Sequence, residues 1–307
     1  MTRVSTSSNF NIMTTNLMRA QLTQGAVGEQ VSSQKVANDL KGYARNAEVL
    51  TAMRSTQSKL NGLIDQTTLV SNRLEMQDTG IGKVASGAKG AREAIANAMA
   101  AGNATTLMQQ LKSAFGDVLQ GLNTKSNGRY VFAGAQTDTP PTSATSMADL
   151  TTAAATSDLF HNDQYIATNR VDEQTTTQTG ILGDALGKST FEAFKQMQAY
   201  VDANGPFTGT LTSSQNDFLK SMLPSFDTAY SDIVTIQGKN GLSQKRFETA
   251  KVELQDQTDT LTTMLGGITD VDMADAVTRL EAAKLAVQAS AQVFAGLQTS
   301  SLLNYLK

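Results

Sequence analysis

The 307-residue sequence predicts a mainly α fold: an elongated antiparallel helical rod, coiled-coil-like, with a small, mainly β domain inserted at its tip. Apolar residues recur at alternating intervals of three and four over long stretches of both halves, which is typical of amphipathic helices. The middle of the sequence loses this period and is rich in Thr, Ser, Ala and Gly. Charged residues make up 17% and aromatic residues 6% of the total, which favours thin packing over a compact enzyme core.

The first helix is predicted from an apolar seam that starts at Phe10. Its positions are Phe10, Met13, Leu17, Ala20, polar Gln24, Val27 and Val31. The stretch SSQKVANDLKG, residues 32–42, breaks the seam and predicts a linker. We therefore expect residues 1–43 to form a terminal helix followed by a linker.

A second and longer seam predicts a helix over residues 44–99. It runs from Leu50 to Met99 in one alternating register and would be roughly 84 Å long if unbroken. Gly102 and Asn103 predict its end, and a shorter helix with Leu107 to Leu122 on one side follows. Residues 44–129 are expected to form one half of the rod.

The inserted domain is predicted over residues 130–190. Asn127-Gly128 predicts a turn, and the stretches RYVFAG and QYIATNRV have the composition of strands. GILGDALGKST, residues 180–190, contains the Gly-Lys-Ser of a phosphate-binding loop, but Leu182 stands where that motif needs its first glycine. We expect a turn there, before a helix that returns at Phe191.

Residues 191–268 are expected to complete the rod, with Gly238 and Gly241 loosening the helix and Gly266-Gly267 ending it. A terminal helix over residues 269–307 then begins near Asp270–Asp272. Its seam consists of Met273, Val277, Leu280, Ala283, Val287, Ala291, Phe294 and Leu297.

The two halves mirror each other, which predicts end-for-end pairing. Antiparallel helices bury their apolar stripes against each other. Residues 1–43 are therefore expected to pair with 269–307, and 44–129 with 191–268.

Several classes of site are disfavoured. The sequence has no Cys, which excludes disulfides and thiol catalysis. Its net charge is −3 without a basic block, so nucleic acid is a poor candidate partner. No apolar run is long enough for membrane insertion, and the N-terminus lacks the apolar region of a cleaved signal peptide. His161 is the single histidine and has no predicted catalytic partner.

The acidic stretch DVDMAD, Asp270 to Asp275, resembles a calcium loop. Asp275 stands where that loop needs glycine, so capping of the following helix is the simpler interpretation. We predict no catalytic residue, no metal and no cofactor.

The strongest functional signal is the pair of terminal seams. Helices of this composition are marginal in isolation, so their apolar stripes need a partner. We expect neighbouring molecules to supply it, with an intramolecular helix pair as the alternative. The predicted assembly interface consists of Phe10, Met13, Leu17, Val27, Val31, Val277, Leu280, Val287, Phe294 and Leu297.

Four stretches resemble the flagellin family of bacterial flagella, and within it the proteins that link the hook to the filament. They are MTRVSTSSNF (1–10), QVSSQKVANDLKGYARNAEVL (30–50), NGRYVFAGAQTDTPP (127–141), and ITDVDMADAVTRL (268–280) with SLLNYLK (301–307).

The resemblance implies a structural subunit of the flagellum at the hook–filament junction, with the filament-forming flagellin as the alternative. It also implies self-association in a ring or filament, and contacts with another hook-associated protein and with flagellin. Export through the flagellar type III apparatus, a cytoplasmic export chaperone and an extracellular location follow from the same resemblance.

Overall fold

The computed structural model describes residues 2–171 and 175–303. Within these ranges the protein is mainly α with a small β region, which confirms the predicted fold class. Two 3₁₀ helices, Leu40–Asn46 and Thr156–Leu159, accompany the longer elements. The helices are α1 (Thr2–Ser33), α2 (Ala47–Ala101), α3 (Leu107–Leu122), α4 (Met147–Thr152), α5 (Gly183–Asn204), α6 (Ser213–Thr269) and α7 (Met273–Leu303); the strands are β1 (Lys125–Ser126), β2 (Arg129–Tyr130), β3 (Thr168–Arg170) and β4 (Thr176–Gln178).

The protein divides into two compact units, one formed by both ends of the sequence and the other by residues 61–255. In the first unit, α1 packs against α7. The pair is antiparallel, because the ring of Phe10 near the start of α1 packs against that of Phe294 near the end of α7, with ring centroids 5.1 Å apart.

Next to this pair, the first turns of α2 pack on the last turns of α6. Leu50 is fully buried in a small cluster with Tyr43 and Leu265. Gln57 Nε2 donates a hydrogen bond to Thr262 Oγ1 across the two helices, at 2.9 Å. The predicted stop at Gly266-Gly267 is wrong, since α6 continues to Thr269.

The second unit has the larger core, built from α2, α3, α5 and α6. Phe194 is fully buried, and its ring lies 5.1 Å from both Phe115 of α3 and Phe226 of α6. The helix that returns from the insertion begins at Gly183, before the predicted Phe191. The expected turn at residues 180–190 is therefore mostly the start of α5, and Thr190 within it is fully buried.

Helices α2 and α3 approach each other closely because three glycines line their contact. A Cβ atom on Gly121 of α3 would lie 2.6 Å from the carbonyl oxygen of Gly80 in α2. A Cβ atom on Gly87 of α2 would lie 2.5 Å from the carbonyl oxygen of Ala114 in α3. Backbone atoms obstruct both positions, so a larger residue would force the helices apart.

We therefore expect Gly87→Ala to lower the free energy of unfolding by about 1–3 kcal/mol, the usual cost of overpacking. The matched control is Gly116→Ala in α3, where an added Cβ meets nothing within 4 Å. It should raise the stability by up to about 1 kcal/mol, because Ala favours a helix over Gly. Denaturant unfolding followed by far-UV circular dichroism measures both, and equal effects would contradict the close contact.

The insertion contains two short antiparallel hairpins. In the first, β1 and β2 are joined by a two-residue turn at Asn127 and Gly128. The strands are shorter than RYVFAG suggests, because Val131 and Phe132 leave the ladder and are buried instead. In the second hairpin, β3 pairs with β4 in the register Asn169 to Thr177.

Candidate assembly surface of the terminal helices

The predicted interface residues of α1 follow the face that packs on α7. Val27 is buried, whereas Met13, Leu17 and Val31 are half-buried. Phe10 keeps 43% of its surface exposed although its ring packs against Phe294. The seam of α1 is thus used within the molecule, and the two-helix pair covers it only in part.

On α7 the face in contact follows the middle of the apolar seam but differs at its start. Ala283 on the seam is 7% exposed, whereas Val277 is 43% exposed and its neighbour Ala276 is fully buried. Leu280, Val287 and Phe294 are half-buried, and Leu297 lies outside the described side chains. Ala276 is absent from the predicted seam, although it stands four residues before Leu280 and seven before Ala283.

A second set of apolar residues points away from the α1–α7 contact. Helical residues advance by 100°, so Met18 and Leu22 lie on the side of α1 opposite its seam, and Leu285 lies likewise on α7. We call Met18, Leu22 and Leu285, together with Ile12 and Val293 at the flanks of this side, the outer residues. They are Ile12 (52% exposed), Met18 (58%), Leu22 (73%), Leu285 (65%) and Val293 (48%).

The segments that carry the outer residues have few charges. Residues 4–18 contain no charged side chain, and residues 285–303 contain none either, whereas Leu22 follows Arg19 by three residues. Single exposed apolar residues are ordinary, but several of them on sparsely charged helices resemble the core of a protein interface, from which charged residues are depleted. The geometry therefore favours contact with other molecules through these faces.

The two linkers that join the terminal pair to α2 and α6 are held to each other. Val36 N donates to Thr269 O at 2.8 Å, and Val271 N donates to Gln34 O at 3.1 Å. Between these bonds, Lys35 Nζ lies 2.5 Å from Asp270 Oδ1. We call residues 34–36 and 269–271 the linker clasp. It fixes the chain between α1 and α2 against the chain between α6 and α7, at the point where α6 ends at Thr269.

The clasp gives a pH-dependent prediction. The hydrogen bond from Lys35, and then that from Thr269, lower the pKa of Asp270. A lowered pKa means that Asp270 contributes stability above its unfolded pKa of about 3.9, and that this contribution is lost as the pH falls through the folded value. Carboxyl NMR titration of Lys35→Met should show the pKa of Asp270 rise towards the unfolded value.

Lys89→Met provides the control for this titration, because Lys89 pairs with Glu93 in α2 and not with Asp270. It should leave the pKa of Asp270 unchanged. An Asp270 that titrates identically in native protein and in Lys35→Met would contradict the clasp.

The acidic stretch before α7 caps that helix. Asp272 Oδ1 accepts hydrogen bonds from Ala274 N at 2.9 Å and Asp275 N at 3.2 Å, which confirms the capping interpretation. Within residues 2–171 and 175–303, no group of His, Asp and Glu side chains is arranged to hold a metal ion. No helix in that part of the protein has an apolar stretch long enough to cross a bilayer.

A cavity of about 220 Å³ lies in the second unit, between the second hairpin and α6. Its lining includes Ile166, Ile181, Lys239, Asn240 and Ser243. These residues offer an apolar wall and a few polar groups. The hydroxyl of Ser243 donates to the carbonyl oxygen of Lys239 at 3.2 Å, within α6.

Comparison with protein families identifies both ends of the sequence. The model of the bacterial flagellin N-terminal helical region matches residues 4–137, and that of the C-terminal helical region matches residues 223–306. The chain belongs to the flagellin family. Flagellins and their relatives are components of bacterial flagella, so membership indicates self-assembly into flagellar structures together with other flagellar proteins.

Two solved structures resemble this flagellin-family protein. One is a protein described as flagellar hook-associated from Vibrio parahaemolyticus, with a TM-score of 0.59, 12% identity, and coverage of 76% of this chain and 99% of that one. The other is FlgL from Bacillus cereus, with a TM-score of 0.53, 16% identity, and coverage of 71% and 99%. At these identities the likeness establishes a shared fold. A search among curated protein sequences finds no match.

Proposed function

We propose that the protein is a structural subunit of the bacterial flagellum, a hook-associated junction protein that links hook to filament. The flagellin-family matches at both ends support a flagellar role. The junction assignment is supported by the two similar structures, one described as flagellar hook-associated and the other as FlgL, both of which are covered almost completely by this chain.

The exposure of the outer residues carries the proposed mechanism. Leu22 and Leu285 are 73% and 65% exposed on the isolated molecule. Burying one leucine stabilises a complex by about 1.5–3 kcal/mol. Association costs about 4–15 kcal/mol in lost translational and rotational freedom, so a single neighbour contributes too little. Subunits therefore add where several neighbours cover the outer residues together, and purified monomers associate poorly.

In this mechanism most of the predicted interface residues hold α1 and α7 together, whereas their periodicity suggested contact with neighbouring molecules. The seam from Phe10 to Val31 holds α1 on α7, which creates the outer surface. Phe10 and Val277, each 43% exposed, remain available to neighbours at the edges of the pair. Intramolecular pairing and assembly thus use different faces of the same helices.

The remaining parts of the proposal concern delivery. A subunit of this kind is exported through the flagellar type III apparatus with a cytoplasmic chaperone, and it functions outside the cell. The absence of Cys is compatible with passage in an unfolded state, because no disulfide has to form. The role is structural and not enzymatic, and its partners are further copies, another hook-associated protein and flagellin.

Deletion of the gene, followed by electron microscopy and a swimming assay, tests the function. We expect hooks without filaments, with flagellin released into the medium, and recovery when the native protein is supplied. Hooks that still carry filaments would contradict the junction role. Loss of the filament protein itself, with nothing released, would assign the protein to the filament.

A further inference from the structure

The tip of the first hairpin combines the features of a site of spontaneous modification. Asn-Gly is the dipeptide most prone to deamidation, because glycine leaves the following amide nitrogen unhindered. The sequence has four such pairs: Asn61-Gly62, Asn127-Gly128, Asn204-Gly205 and Asn240-Gly241. The structure places them in four different environments, which makes each a control for the others.

Three of the four pairs are held by hydrogen bonds within or at the end of a helix. Asn61-Gly62 lies inside α2, where the glycine amide belongs to the intrahelical ladder. At the end of α5, Gly205 N donates to Val201 O at 2.8 Å, and Asn204 Nδ2 donates to Tyr200 O at 3.0 Å. Asn240 lies within α6, is 2% exposed and donates from Nδ2 to Leu74 O at 3.0 Å.

The fourth pair has none of these constraints. Asn127 and Gly128 are exposed and form the two-residue turn, with φ angles of 51° and 80°. Among the described residues, none accepts a hydrogen bond from the Gly128 amide. The flanking ladder consists of only two residue pairs, and hairpins of this size are marginal in water, so local opening is inexpensive.

We infer that Asn127 is the deamidation site of the folded protein. The Gly128 nitrogen loses its proton to solvent base and attacks Asn127 Cγ, the Cγ–Nδ2 bond breaks, and ammonia leaves from a five-membered succinimide. Water then opens either ring carbonyl. Breaking the Cγ–N bond gives aspartate, and breaking the backbone C–N bond gives isoaspartate. The net change replaces an amide NH₂ by OH.

The modification changes the surface and spares the core. It places a carboxylate in a turn flanked by Lys125 and Arg129. Isoaspartate also lengthens the backbone by one methylene group, which is incompatible with a two-residue turn that requires positive φ at both positions. The buried side chains of Val131 and Phe132 anchor the backbone just beyond the hairpin. The insertion therefore stays folded while its tip gains negative charge.

Peptide mass spectrometry of the full-length protein, incubated in its native state at mildly alkaline pH, tests the inference. We expect Asn127 to deamidate about tenfold or more ahead of the other three sites, a ratio that corresponds to about 1.4 kcal/mol in activation free energy. The same incubation in denaturant should bring the four rates close together. Native rates at Asn61, Asn204 or Asn240 that equal the rate at Asn127 would overturn the inference, as would the same ranking in denaturant.

Two variants complete the test. Asn127→Gln enlarges the ring that has to form, so it should abolish most of the native-state mass gain and ammonia release with unchanged circular dichroism. Asn204→Gln, also at an exposed Asn-Gly pair, should leave both nearly unchanged. A native-state mass gain that persists in Asn127→Gln would also overturn the assignment.

Discussion

Replacing Leu22 with glutamate is expected to abolish incorporation of the protein into flagella while leaving its helices intact. Leu22 is 73% exposed and lies opposite the α1 seam. The isolated molecule therefore loses almost no packing, and glutamate is a good helix former. In an assembly that covers this face, the variant loses about 1.5–3 kcal/mol of apolar burial and must also desolvate a charge. Each 1.4 kcal/mol is about tenfold in affinity, so assembly should fall well over tenfold.

The measurement is complementation of the deletion strain, scored by electron microscopy and swimming, together with circular dichroism of purified protein. Leu22→Met keeps an apolar side chain and should restore filaments. Val27→Glu supplies the opposite comparison, because Val27 is 7% exposed in the α1–α7 contact and its replacement should reduce helicity. Normal filaments from Leu22→Glu would show that this face stays in solvent.

Hydrophobic periodicity was sufficient to predict the long helices. The seam over residues 44–99 corresponds to α2, Ala47–Ala101, because every third or fourth residue faces a neighbouring element. Leu50, Leu74 and Ile95 on that seam are all buried. The spacing of apolar residues identifies the apolar face of a helix, and on α1 as well the predicted seam is the face that packs on α7.

The spacing of apolar residues does not show whether the same molecule or a neighbouring one covers such a face. The apolar pattern favours neighbouring molecules as the cover of the seams at Phe10 and Leu280, whereas in the structure these seams are covered in part within one molecule. The outer residues were missed because Leu22 and Leu285 fall outside the three-and-four register and look like isolated exceptions. Ala276 was missed because a small residue adds little to an apolar pattern, although it is fully buried.

Glycines were the other source of error. Gly266 and Gly267 were read as a stop, but the helix continues through them to the linker clasp. A glycine inside a helix costs only about 1 kcal/mol relative to alanine, which tertiary contacts readily offset. Gly80 and Gly87 allow the close contact between α2 and α3. Their spacing of seven residues places them on one face of α2, and this spacing is the sequence feature that indicates the contact.

The insertion was the least predictable part because side-chain bonds, and not a repeating pattern, determine its path. Asp163 Oδ1 accepts hydrogen bonds from Ala135 N at 3.1 Å and Tyr165 N at 2.9 Å. Asn162 Nδ2 donates to Asp184 Oδ1 at 2.9 Å and so ties the loop to the start of α5. The bonds from Ala135 to Asp163 and from Asn162 to Asp184 join residues distant in sequence, and composition alone does not indicate them.

Phe194→Ala is expected to have the largest effect on stability, lowering the free energy of unfolding by about 3–5 kcal/mol, the usual cost of removing a buried phenylalanine. Phe194 is fully buried, and its ring lies 5.1 Å from Phe115 and from Phe226 in edge-on contacts. Edge-on pairs add about 0.5–1.5 kcal/mol each beyond area burial. The alanine variant would therefore lose these ring contacts as well as buried apolar area.

Denaturant unfolding followed by circular dichroism measures this loss as a lower midpoint. Leu242→Ala is the matched control, because Leu242 lies on α6 of the same unit but is 56% exposed. Its effect should stay within about 0.5 kcal/mol, as is usual for surface positions. Since a domain is typically stable by about 5–15 kcal/mol, Phe194→Ala removes a large share of the total. If both variants unfold at the native midpoint, the three aromatic rings do not form the packed centre of this unit.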